Sequence, residues 1–143
     1  MVGALPWDIG NPTYALTVRV PGGDFDAVVQ KVREELGREG FGVLTEIDLK
    51  TTLKKKLDVD VPRYLILGAC NPELAHLALK AEPGIGALLP CNVVVAEETD
   101  AVAVSAIDPV AMFSVVGRPD IAQLASQVKE KLSRSLKGVE SSI

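Results

Sequence analysis

Apolar residues recur along this chain at two different spacings, and each change of spacing marks a new element. Tyr14 to Val20 is β-branched and apolar enough for a first strand, stopped by Pro21-Gly22-Gly23. Phe25, Val28, Val29, Val32 and Leu36 then recur at i, i+3, i+4, i+7 and i+11, which places them on one side of a helix. Asp24 suits its N-cap, and Gly40 supplies the permissive backbone that ends such helices. Gly42 to Ile47 reads as a second strand. A short helix follows, in which Leu49, Leu53 and Leu57 make a narrow stripe and Lys50, Lys54, Lys55 and Lys56 point outward. Arg63 to Ala69 has consecutive apolar residues, the pattern of a strand covered on both faces, and is expected at the centre of a sheet.

Asn71-Pro72 combines a good N-cap with the residue best suited to the first helical position, and predicts a helix to about Ala81. Leu74, Leu77, Ala78 and Ala81 form its inner stripe, while Glu73, His76 and Lys80 share the solvated side. After a connection punctuated by Pro83, Gly84, Gly86 and Pro90, the runs Asn92–Glu98 and Ala101–Ile107 predict an antiparallel hairpin turning at Thr99-Asp100. Asp108-Pro109 opens a short helical turn. Ile121, Leu124, Ala125, Val128 and Leu132 predict a last helix, with Asp120 and Gln123 placed like a capping box. The expected organisation is an irregular extension over residues 1–13, one domain over residues 14–137 and a frayed tail over residues 138–143.

The 143 residues suffice for one well-filled domain, with 48% hydrophobic, 24% charged and 4% aromatic residues. A net charge of −4 argues against nucleic-acid binding, which draws on many phosphate contacts. The absence of a long apolar run or of a basic-then-apolar N-terminus argues against a membrane location and for the cytoplasm. In that reducing setting Cys70 and Cys91 are expected to be thiols. Only three Asn and three Gln occur, a scarcity of thermolabile amides that fits a heat-adapted, thermophilic source.

The run Gly68-Ala69-Cys70-Asn71-Pro72, the segment Leu89-Pro90-Cys91-Asn92-Val93 and the pair Asp108-Pro109 together resemble the prokaryotic family called domain of unknown function 302, over roughly Tyr14 to Leu136. The resemblance implies an α+β fold with a five-stranded antiparallel sheet backed by helices, arranged as in the TATA-binding protein, and a homodimer. It implies no activity, and the likeness of fold does not bring DNA binding with it.

Few residues offer chemistry. His76 is the sole imidazole and sits on the solvated side of its helix, and no nucleophile-elbow sequence accompanies it. Two thiols and one imidazole match no zinc spacing, so no metal is assigned, and Gly84-Ile85-Gly86 lacks the glycines of a phosphate loop. The lysines from Lys50 to Lys56 are interleaved with Asp48, Asp58 and Asp60, within a screening length of about 8 Å. The remaining constellation is Cys70, Asn71, Cys91 and Asn92. If the two strands are antiparallel neighbours, these residues share one end of the sheet beside the start of the Pro72 helix, where amides attract anions and lower thiol pKa values. The same residues also fit a plain structural role, since cysteine is commonly buried and Asn71 is explained as a cap.

Three functions therefore stay open. The first is a homodimeric binding module for a small anionic ligand or metabolite near Cys70, Asn71, Cys91 and Asn92. The second is a thiol-dependent enzyme or redox switch using Cys70 and Cys91. The third is a structural or interaction protein acting through its dimer, by way of Val115, Val116 and the N-terminus around Trp7. No cofactor is indicated.

Overall fold

The computed structural model describes residues 6–141, so the first five residues of the expected extension and the last two of the expected tail lie outside the described residues. The chain runs β1 (Ala15–Pro21), α1 (Phe25–Arg38), β2 (Gly42–Asp48), α2 (Leu49–Leu57), β3 (Tyr64–Cys70) and α3 (Pro72–Ala81). A 3-10 segment (Pro83–Leu88), β4 (Cys91–Glu97), β5 (Ala101–Ile107), α4 (Pro109–Phe113) and α5 (Pro119–Ser141) complete it. The five strands form one sheet in the order β1-β5-β4-β3-β2, and every neighbouring pair is antiparallel. With helices packed on it, the fold is α+β, as the resemblance implies.

Strand alternation divides the sheet into two unlike faces. Leu67 and Ala69 of β3, Val93 and Val95 of β4, and Val104 and Ala106 of β5 point to one side. They are buried there against Val28, Val32 and Leu36 of α1 and Leu132, Leu136 and Val139 of α5. Each of these larger side chains contributes roughly 1.5–3 kcal/mol by leaving water. The helices begin where local chemistry dictates. Asp24, Asp48, Asn71 and Asp108 each accept a first-turn amide hydrogen bond. The first helix gives way at Gly40, whose φ of +84° is the left-handed conformation expected of that glycine.

Several expectations are corrected. β3 is an interior strand, between β4 and the edge strand β2, but it is not covered on both faces: Leu67 and Ala69 on its helix-facing side are fully buried, while Tyr64 and Ile66 are half-buried. The leucine stripe of α2 is only partly covered: Leu49 and Leu53 are half-buried, Leu57 is 65% exposed and no residue of this helix is fully buried. Leu77 of α3 is likewise exposed rather than on the inner stripe. Asp120 does not occupy the N-cap of α5, because the helix starts one residue earlier, at Pro119; its carboxylate pairs with Arg118 and accepts the Ile121 N–H. The frayed tail proves to be helix as far as Ser141, held because Val139 is buried in the core.

Among the described residues, no helix is long and apolar enough to cross a membrane. The other face of the sheet is covered only in part: Asn92 and Ile47 are exposed, and Val94 is half-buried.

Candidate functional site

The antiparallel pairing of β3 with β4 sets Ala69 opposite Cys91 and Gly68 opposite Asn92. Cys70 and Cys91 therefore lie at the same end of neighbouring strands, as antiparallel pairing requires. Both are free thiols, Cys91 buried in the main core and Cys70 partly covered. Burial first, and the neighbouring Cys70 second, push the Cys91 thiol up to about 11. Burial also raises the Cys70 thiol. Both sulfurs are thus protonated at neutral pH, which is the reverse of what a thiolate nucleophile requires.

Asn71 is committed to the fold. Its Oδ1 accepts the Leu74 N–H at 3.2 Å, and its Nδ2 donates to the Glu39 carbonyl at 3.2 Å. The hollow that Cys70, Asn71 and Cys91 border holds only about 30 Å³. It is walled by side chains such as Phe41, Leu74, Phe113 and Leu124, with no lysine or arginine in its lining. That volume admits one or two waters at most. The end of α3 that would attract an anion presents no cationic side chain here, and its capped amide is already engaged.

Asn92 parts company with the other three. One residue beyond Cys91, it points to the opposite face of the sheet, where it joins a much larger groove of about 440 Å³. This lies in the range of about 300–1,000 Å³ typical of small-molecule sites. Its floor is Val94 and Ser105, which are direct partners across β4 and β5. Tyr14, Tyr64 and Met112 stand around that floor, and no charged side chain lines the groove among the described residues. Burial and the neighbouring Tyr14 both raise the Tyr64 hydroxyl above its ordinary value, so the Tyr64 phenol stays neutral at physiological pH. The Ser105 hydroxyl hydrogen-bonds with that of Thr17 at 2.9 Å. No side-chain hydrogen bond within the described residues engages Asn92, Tyr14 or Tyr64.

The chain preceding β1 forms a strap along this groove. The Ile9 N–H donates to Glu98 at 2.7 Å, and Asp8 accepts the Thr99 N–H at 3.1 Å. Arg19 donates to the Gly10 carbonyl at 2.6 Å and to the Asn11 side chain at 2.9 Å. Trp7 meets Tyr64 edge-on, with ring centroids 6.1 Å apart. Ile9 and Pro12 of the strap border the groove directly. The sequence pattern singled out Asn92 but not Tyr14, Tyr64 or Ser105. The signal was present in the alternation of β3, where Tyr64 and Ile66 must face away from Leu65 and Leu67 if the latter pair is core.

The family model described as "Domain of unknown function DUF302" matches residues 16–139. Among solved structures, the chain is similar to an uncharacterized conserved DUF302 protein from Bacillus stearothermophilus, at 25% identity and a TM-score of 0.83. That match covers 90% of this chain and 99% of the other. No curated protein matches this chain.

Proposed function

Because the chain belongs to the DUF302 family, whose description assigns no activity, we propose a function from its own geometry: a binding module that holds a small uncharged ligand in the groove over Val94 and Ser105. The observation that carries this reading is the pairing of a ligand-sized hollow with the unengaged amide of Asn92 at its edge. Ligand sites are mostly apolar with a few convergent polar groups, and that is the makeup of this lining. The tight apolar cavity beside Cys91 is too small for a metabolite. An anion would find no cation lining either hollow and would lose its hydration uncompensated.

The homodimer belongs to this proposal. Apolar side chains left exposed on successive elements, Ile47 of β2 and Leu57 of α2, support a surface that a second copy covers. A cytoplasmic setting is the matching proposal for two cysteines that are free rather than bridged.

Thermal-shift screening of uncharged compounds tests the ligand reading. Asn92 is exposed, so an Asn92→Trp variant fills the groove without disturbing the core. Compounds that stabilise the wild type are expected to lose that effect in the variant. If the same compounds stabilise both proteins equally, the groove is not their site. Light scattering at low concentration tests the dimer, and a monomer contradicts it.

A further inference from the structure

The placement of the aromatic residues suggests the class of molecule this groove takes. The chain has one Trp, two Tyr and three Phe. The phenylalanines, Phe25, Phe41 and Phe113, are all buried in the hydrophobic clusters. Both tyrosines instead line the groove, and the tryptophan packs edge-on against one of them. Both tyrosine rings are thus gathered at a single hollow, with the tryptophan ring against one of them.

The shape agrees with that chemistry. The floor is a strand-paired surface, Val94 beside Ser105, and the strap residues Ile9 and Pro12 form another border. The strap is fixed in place because Glu98 holds the Ile9 amide and Arg19 holds the Gly10 carbonyl. A space bounded by a sheet surface and a tied segment of backbone favours a flat molecule over a bulky one. Met112 adds a thioether, which contacts aromatic rings favourably. Tyr14, Tyr64 and Asn92 offer neutral donors and acceptors.

Resting on the proposed binding role of this groove, we infer that its ligand is a flat, uncharged aromatic ring system bearing a neutral hydrogen-bonding group. The tyrosine rings stack on or meet the edge of the ligand ring. Asn92 receives its polar group, and the uncharged lining rejects a carboxylate on the same skeleton.

Three probes of common skeleton separate these elements: 2-naphthol, its saturated counterpart decahydro-2-naphthol, and 2-naphthoate. Each is titrated into the full chain while amide NMR shifts are followed, including the Asn92 side-chain amide. 2-Naphthol is expected to shift Asn92, Val94 and Ser105 and to bind about tenfold more tightly than the saturated alcohol, the gain available from aromatic contacts. It should likewise exceed 2-naphthoate. Replacing Tyr64 by Leu should remove the preference, and Tyr64→Phe should keep it. Equal or tighter binding of the saturated alcohol at the same residues overturns the aromatic inference and leaves the groove reading standing. If none of the three probes moves these amides, the groove reading fails and the inference with it.

Discussion

Arg19 and Glu98 lie 79 residues apart in sequence, yet the Arg19 Nε–H donates to the Glu98 carboxylate at 2.7 Å, and the Glu98 side chain is only 6% exposed. The same carboxylate receives the Ile9 amide, while Arg19 reaches on to Gly10 and Asn11. A single ion pair therefore ties β1, the β4–β5 turn and the strap together.

Removing the Glu98 charge should release the strap. Glu98→Gln leaves Arg19 without its anionic partner, an expected loss of about 2 kcal/mol for a well-covered charged hydrogen bond. Urea denaturation reads the stability. The emission of Trp7 reads the strap, and it should move to longer wavelength as the ring leaves Tyr64 for water. A variant with unchanged emission and midpoint would show that the strap is held by something else.

Gly68 is required by close approach. A Cβ at this position would stand 2.2 Å from Thr45 Oγ1 and 2.8 Å from Pro90 Cγ. Gly68→Ala should cost about 1–3 kcal/mol, because β2 and the Pro90 turn must both shift. Thr45→Gly in the same chain should recover part of that loss. Equal midpoints for wild type and Gly68→Ala would contradict the packing described.

Gly138 lets α5 pass the largely buried Glu35 of α1, since a Cβ there would come 1.8 Å from Glu35 Oε1. Glu35 is held by Lys31 at 3.4 Å and Arg38 at 3.3 Å and cannot move aside freely. Gly138→Ala alone should destabilise by about 1 kcal/mol. With Glu35→Ala already made, the same change should stabilise by up to about 1 kcal/mol, the helix propensity of alanine over glycine. A double-mutant cycle without coupling would exclude this contact.

The buried Cys91 thiol gives stability a specific dependence on alkaline pH. Its folded value is raised from the ordinary 9.0 to about 11. Below pH 9 both folded and unfolded chains keep the proton, so nothing is lost there. Between 9 and 11 the unfolded chain releases a proton that the folded chain retains, so stability falls as pH rises, by as much as about 2.5 kcal/mol from this group. Urea midpoints for wild type and Cys91→Val at pH 7, 9 and 10.5 check it, because tyrosine and lysine titrate alike in both. The variant should gain on the wild type as pH rises, and parallel curves would contradict the assignment.

The sequence was most informative where the controlling interactions are local. Asn71-Pro72 and Asp108-Pro109 start helices because cap and proline act within three residues, and the Thr99-Asp100 turn makes its hairpin for the same reason. The shared end of Cys70 and Cys91 was legible once β3 and β4 were taken as antiparallel. The chemistry at that corner was not, because the apolar walls that keep both thiols protonated come from α3, α4 and α5. The strap was not legible either, since its tie joins residues 79 positions apart. Asn92 was grouped with Cys91 by adjacency, although alternation sends neighbouring strand residues to opposite faces. The helical tail past Gly138 was hidden for a related reason: that glycine accommodates Glu35 across the helix pair and does not end the helix.

A crystal structure of the protein with the tightest uncharged ligand found by screening puts the central claim to its most direct test. Ligand density is expected over Val94 and Ser105, bordered by Ile9 and Pro12, with a hydrogen bond from the Asn92 side chain. Density beside Cys91 beneath α3, or on a surface remote from both tyrosines, would contradict it.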